Sequence, residues 1–148
     1  MQILLGHYNG LHQRAGLQGV IELHGNLHHE HCLHCGAADA ETPRLEAPYL
    51  RICLYCGGWL RPAVTWFGES LPQAALAQAE QAMKTCDLLV VVGTSALVYP
   101  AADLPRRAKA EGAKVVLINQ EPTEHLKLAD AYLEGRAGEL LPMLLARP

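Results

Sequence analysis

The sequence predicts an open α/β layer with a small metal-organised module inserted near its front. Three observations carry this. Two continuous β-branched apolar runs, Asp87–Val92 and Lys114–Ile118, have the composition of parallel strands covered on both faces. Helix-like segments alternate with these runs, which is the order of a parallel sheet covered by helices. Ahead of them lie two cysteine pairs, Cys32-x-x-Cys35 and Cys53-x-x-Cys56, in a stretch too poor in apolar residues to bury a core alone.

The elements follow in order. Gln2–Leu5 reads as a short strand, Leu11–Ala15 as a helical turn closed by Gly16, and Val20–Leu23 as an extended piece running into His24-Gly25. From His28 to Gly58 histidines, cysteines, Pro43 and Pro48 replace any clear periodicity. Pro62–Glu69 reads as a strand and turn that packs this module against the rest, and its backbone could also pair with an extended peptide. Pro72 opens a helix over Gln73–Lys84, whose Ala75, Leu76, Ala79, Ala82 and Met83 form one stripe. Ala101–Glu111 is a second helix, ended by Gly112. Tyr132 and Leu133 make a last short strand, before a terminal helix carrying Leu140, Leu141, Leu144 and Leu145.

Each C-x-x-C turn can set two thiolates about 2.3 Å from one zinc ion. Two such knuckles, 17 residues apart, supply a closed tetrahedral shell of Cys32, Cys35, Cys53 and Cys56. A closed shell has no open position for substrate, so this metal builds structure. Two disulfides or a redox pair are the alternatives, and nothing at the N-terminus resembles a secretion signal. His31 and His34 are possible competitors for the metal; His28 and His29 read as module surface. Cys86 reads as a small core residue. Unpaired thiols suit a reducing, cytoplasmic compartment.

The net charge of −3 and the lack of a basic stripe argue against a nucleic-acid partner. No apolar run reaches the roughly 18–20 residues of a membrane span. In open α/β sheets ligands bind beyond the carboxyl ends of the strands. That rule selects Gly93-Thr94-Ser95 and Asn119-Gln120-Glu121, the second with polar groups suited to a ribose. Neither tripeptide is specific alone, and no GxGxxG or Walker A loop is present. His24 is the candidate acid/base group, with a structural histidine as the alternative.

Taken in order, Gly10-Leu11-His12-Gln13-Arg14-Ala15-Gly16, Ile21-Glu22-Leu23-His24-Gly25, the four cysteines, Arg61–Glu69, Gly93-Thr94-Ser95 with Val98 and Pro100-Ala101-Ala102, Ile118-Asn119 with Pro122-Thr123, and Gly135-Arg136-Ala137-Gly138 resemble the sirtuins. These are NAD-dependent protein-lysine deacylases. The resemblance implies a Rossmann-like parallel sheet with helices on both faces, residues 1–27 and 59–148, and a structural zinc module, 28–58. NAD and acyl-lysine would meet in the cleft between them. It implies His24 as general base: nicotinamide leaves, the acyl oxygen captures C1′, and the histidine activates a ribose hydroxyl. Free lysine, nicotinamide and an O-acyl-ADP-ribose would result. It further implies Gly93, Thr94, Ser95, Asn119, Gln120 and Glu121 at the dinucleotide, with Ala137 near adenine. Val64, Phe67, Gly68 and Val98 would lie along the acyl-peptide.

Two departures stand against this. The family's leading strand and its Gly-Ala-Gly-Ile-Ser loop are absent, so the chain reads as an N-terminally truncated sirtuin. Where the family carries Gln-Asn-(Ile/Val)-Asp, this chain has Gly6-His7-Tyr8-Asn9, leaving Asn9 as the near relative of the aspartate. A lost central strand is expected to expose neighbouring strand edges. The alternative function is therefore a catalytically weak, zinc-stabilised peptide-binding module.

Overall fold

The computed structural model describes residues 3–5, 9–39 and 51–146. The expected strand start at Gln2, the Gly6-His7-Tyr8 segment and Pro43 and Pro48 lie outside the described residues. The chain divides into two compact units, 1–77 and 78–148.

In the first unit, β1 (Ile3–Leu5) pairs in parallel with β2 (Val20–Glu22), Ile3 opposite Val20 and Leu5 opposite Glu22. The one-turn helix α1 (Leu11–Arg14) connects them. Ile21 and Leu23 are buried and anchor this part. Next come β3 (Gly25–Cys32), the two-residue β4 (Ala38–Asp39) and β5 (Leu60–Val64), an antiparallel sheet in the order β4-β3-β5. The β3–β5 ladder runs from Gly25 opposite Val64 to Cys32 opposite Leu60. Its register shifts between Asn26, opposite Ala63, and Glu30, opposite Pro62. The irregularity falls at a residue with no amide hydrogen to give the ladder. The stretch expected to lack periodicity thus holds the last five residues of an eight-residue strand.

Helix α2 (Gln73–Thr85) leads into the second unit, where it buries Ala79, Ala82 and Met83. There β6 (Leu88–Val92), β7 (Lys114–Asn119) and β8 (Ala131–Glu134) form a parallel sheet in that order. Helices α3 (Leu104–Ala110) and α4 (Ala137–Leu145) pack against it, as the strand–helix alternation predicts. The expected helix over 101–111 is a 3-10 turn, Ala101–Asp103, followed by α3. Pro105 in its first turn gives up only an amide that would have no intrahelical acceptor. Val91, Val115 and Leu117 form the core, with Leu89, Ala129 and Tyr132 packed on it.

β6 departs from the expectation of cover on both faces. Leu88 is 57% and Val90 42% exposed, while Leu89 and Val91 face the core. Among the described residues β7 is its only strand neighbour, so its other edge is unpaired, and the face toward which Leu88 and Val90 point is exposed.

Asp130 closes the start of the β7–β8 pair. It accepts the Val115 amide at 2.8 Å and the Lys109 and Lys114 ammonium groups at 2.5 and 3.3 Å. The Lys109 bond above all, then the Val115 amide, holds the Asp130 carboxyl well below its ordinary value of 3.8. A depressed carboxylate contributes stability that is present above the unfolded value and lost as pH falls through the folded one. Hydrogen-exchange protection of β7 should therefore weaken as pH drops below about 4, and Asp130→Asn should flatten that dependence.

Gly25 adopts φ 75°, and a Cβ there would sit 1.9 Å from the Ala63 carbonyl oxygen. Gly25→Ala is expected to destabilise the first unit by roughly 3 kcal/mol or more, read from denaturant midpoints.

Candidate functional site

The four cysteines converge. Each knuckle closes through an amide returning to its first cysteine: Gly36 N–H to the Cys32 carbonyl at 3.0 Å and Gly57 N–H to that of Cys53 at 2.9 Å. Gly36 and Gly57 both take left-handed φ values, 70° and 71°, which favour glycine. The Cys32–Cys56 and Cys35–Cys53 sulfur pairs are 3.4 and 3.7 Å apart, and all four sulfurs lie within 4.8 Å of one another. A zinc tetrahedron with bonds of about 2.3 Å has sulfur–sulfur edges of about 3.8 Å, so the donor set fits this ion. Amides of His34 and Gly58 point at the Cys32 and Cys56 sulfurs at 3.3 and 3.4 Å. Backbone N–H groups, that of Cys35 first, lower the Cys32 thiol toward the thiolate a metal needs. Among the described residues no histidine joins the cluster.

His24 occupies the corner between β2 and β3 and is half-buried. Its carbonyl accepts the Thr65 amide at 3.0 Å, Leu23 before it is buried, and Gly25 after it sits against β5. Beside the corner runs a polar network that the sequence did not reveal. One Glu22 carboxylate oxygen accepts both Gln13 Nε2 and Asn26 Nδ2 at 2.6 Å. Asn26 Oδ1 accepts the His28 amide at 2.8 Å, and His28 Nε2 lies 3.1 Å from the Asn9 carbonyl. Asn9 in turn accepts the first amide of α1 through Oδ1 at 3.2 Å. His28, read as surface, thus ties the Asn9-Gly10 turn to β3.

Val64 ends β5, and Phe67 and Gly68 lie on the turn after it, with Phe67 96% exposed. Arg61, one of three buried polar residues described, braces that turn. Its Nη1 and Nη2 grip Glu69 at 2.5 and 2.9 Å, Nη2 reaches the Val64 carbonyl at 2.6 Å, and the guanidinium lies 4.0 Å from the Trp66 ring centroid. Glu69 also accepts the Trp66 amide at 2.9 Å. The Arg61 bonds foremost, then that amide, hold the Glu69 carboxyl down to about 2.

In the second unit Gly93, Thr94, Ser95, Asn119, Gln120 and Glu121 line one cavity of about 730 Å3. Leu97 and Pro122–Glu124 complete it. Asn119 joins its two walls, donating through Nδ2 to the Thr94 carbonyl at 3.2 Å and to that of Glu121 at 3.1 Å. His125, next to this wall, is buried, and burial lowers its pKa. Ala137 is not among the lining residues; it opens α4. Val98, 44% exposed, lies on the loop after Leu97. The strand-end rule located this cavity; Leu97 and Glu124 lie beyond the tripeptides that it selects.

The Sir2 family model matches residues 7–100. Over 144 residues the chain is 49% identical to NAD-dependent protein deacylase 2 of Pyrobaculum aerophilum, covering 97% of this chain and 57% of that protein. A crystal structure of a Sir2 homolog–NAD complex superposes with a TM-score of 0.91 at 39% identity, covering 97% of this chain and 56% of that one. Sir2 bound to acetylated peptide gives 0.89 at 32% identity, covering 98% and 62%. The fold is that of a Rossmann-like sheet with helices and a four-cysteine metal module. The chain belongs to the Sir2 family, the sirtuins, and spans little more than half the length of the relatives it matches.

No helix among the described residues is long and apolar enough to cross a membrane. Purified protein should carry one zinc per chain by metal analysis. Cys32→Ser or Cys53→Ser should lose the metal and unfold or precipitate, because the site's binding energy is also folding energy; unchanged thermal melting would contradict a structural ion.

Proposed function

We propose that this chain carries the dinucleotide and acyl-lysine chemistry of an NAD-dependent protein deacylase. The observation that carries the reading is the cavity in which Asn119 bridges the Gly93–Ser95 and Asn119–Glu121 loops at the carboxyl ends of β6 and β7. Backbone and hydroxyl donors of Gly93, Thr94 and Ser95 suit a pyrophosphate-linked ligand, and the amide and carboxylate of the opposite wall suit ribose hydroxyls. Asn9 and Ala137 belong to the same cofactor set by their place in the family pattern. NAD supplies the electrophilic ribose carbon. His24, held at its corner by the Thr65 amide, takes the proton from a ribose hydroxyl and must be neutral to do so. The backbone of Val64–Gly68, with Val98, borders the acyl-peptide. Nicotinamide, free lysine and O-acyl-ADP-ribose are the products. Residues 28–58 act as the metal-organised module of a dinucleotide-binding domain formed by the rest. Four closely set thiols and no membrane-crossing helix among the described residues suit a reducing cytoplasm.

A second reading, a peptide-binding module with weak turnover, is favoured by one observation: Gly6-His7-Tyr8-Asn9 stands where the family carries amide and carboxylate side chains. Calorimetry separates the two. NAD should give saturable heat, weakened about tenfold, or about 1.4 kcal/mol, by Asn119→Ala. An acetyl-lysine peptide with NAD should release nicotinamide, and His24→Ala should abolish that release while leaving NAD affinity unchanged. Absence of heat at millimolar NAD would leave the module reading.

A further inference from the structure

Phe67 is 96% and Trp66 57% exposed, yet the turn that carries them is built around a buried guanidinium. A Phe67 ring held out in water gains almost nothing from burial in the folded chain. The polar groups behind it are organised to a degree that a surface turn does not need. Arg61 sits on β5 at 9% exposure, where an unpaired charge would be costly. Its fork is filled on one side by both Glu69 oxygens and on the other by the Val64 carbonyl. Glu69 then turns back on the segment it ends: its carboxylate takes the Trp66 amide at 2.9 Å, and its own amide donates to the Trp66 carbonyl at 3.0 Å. The Trp66 ring lies against the guanidinium at 4.0 Å, a cation–π contact that fixes the ring plane. Val64, Trp66 and Glu69 are thereby tied together through the Arg61–Glu69 pair, while the Thr65 amide goes to the His24 carbonyl and Phe67 and Gly68 form the tip.

Arg61 and Glu69 hold the Trp66–Gly68 turn in a single conformation, and we infer that they are the positioning residues of the acyl-peptide surface. This rests on the reading of that surface given above. The pair touches neither cofactor nor reacting atoms. Its effect is to present the Val64–Gly68 backbone and the Phe67 ring already ordered, so that an extended peptide with an aliphatic acyl-lysine chain binds without first ordering the turn. Without the fork the turn samples other conformations and peptide affinity falls, while dinucleotide binding at the Gly93–Ser95 and Asn119–Glu121 loops is unaffected.

The decisive variant removes both charges together, Arg61→Met with Glu69→Leu. Apolar replacement of such a pair removes its desolvation cost together with its attraction, and the Glu69 side chain is already 43% exposed, so this protein should keep its zinc with little change in melting temperature. It should bind an acetyl-lysine peptide at least tenfold more weakly than wild type, with NAD affinity within twofold. In turnover the loss should fall on the peptide KM and spare kcat at saturation. Arg61→Lys, which keeps charge but not the fork, should also weaken the peptide, and Glu69→Gln should do so with zinc content unchanged. Wild-type peptide affinity in the double variant, or in Glu69→Gln should the double variant lose its metal, overturns the positioning role alone. A wild-type chain that binds no acetyl-lysine peptide overturns the acyl-peptide surface itself, and this inference with it.

Discussion

The β3–β5 ladder is the constraint on which the rest of the first unit depends. One of its ends is Gly25 opposite Val64, next to the His24 corner; the other is Cys32 opposite Leu60, inside the metal cluster. A short antiparallel pair is marginal in water, and this one is interrupted at Pro62. Closing the four sulfurs around an ion fixes the far end of both strands, since Cys32 ends β3 and Cys53 is drawn to β5 through the Ile52–Trp59 bridge and the Leu60–Arg51 backbone bond. Metal binding energy is spent on strand register. The ion does no chemistry, but the histidine corner at the opposite end of the same ladder inherits the order it imposes.

The corner itself is fixed by backbone rather than by size. A glycine with positive φ follows His24, and the strands approach so closely there that a single added carbon would meet a carbonyl. The Thr65 amide then holds the histidine's own carbonyl. With the main chain fixed on both sides, the histidine is set at one defined corner, as the proton transfer proposed for it requires.

The sequence made legible what depends on short spacing or long periodicity. Four thiols at C-x-x-C spacing, helix α2 with its alanine stripe and the all-parallel β6–β7–β8 sheet were read from local pattern, and the strand-end rule found the Gly93–Ser95 and Asn119–Glu121 loops. The β3 strand was not legible, because its Leu27-His28-His29-Glu30-His31 stretch is polar on both faces and is held by pairing and metal rather than by an apolar stripe. β6 misled for the opposite reason: Leu88-Leu89-Val90-Val91-Val92 is apolar throughout, which suits a strand covered on both faces but does not supply the cover for the second face. The Glu22 and Arg61 networks join residues whose partners are fixed only in three dimensions. Arg61 and Glu69 do bracket the motif that carried the family resemblance, a hint that charged residues at its ends act on what lies between.

That bracket bears on why an ion pair stands where apolar side chains could pack. A partly buried Arg–Glu pair is weak evidence for stability, because the cost of drying the charges roughly offsets their attraction. A bidentate fork does what an apolar contact cannot: it fixes direction. Met and Leu in place of Arg61 and Glu69 could fill the same volume, but they would leave the Val64 carbonyl and the Trp66 amide without the partners that now set the turn. The free energy forgone in stability is recovered as one defined backbone path from Val64 to Glu69. A surface read by an extended chain, strand against strand, gains most from such a path, because backbone pairing tolerates little error in register.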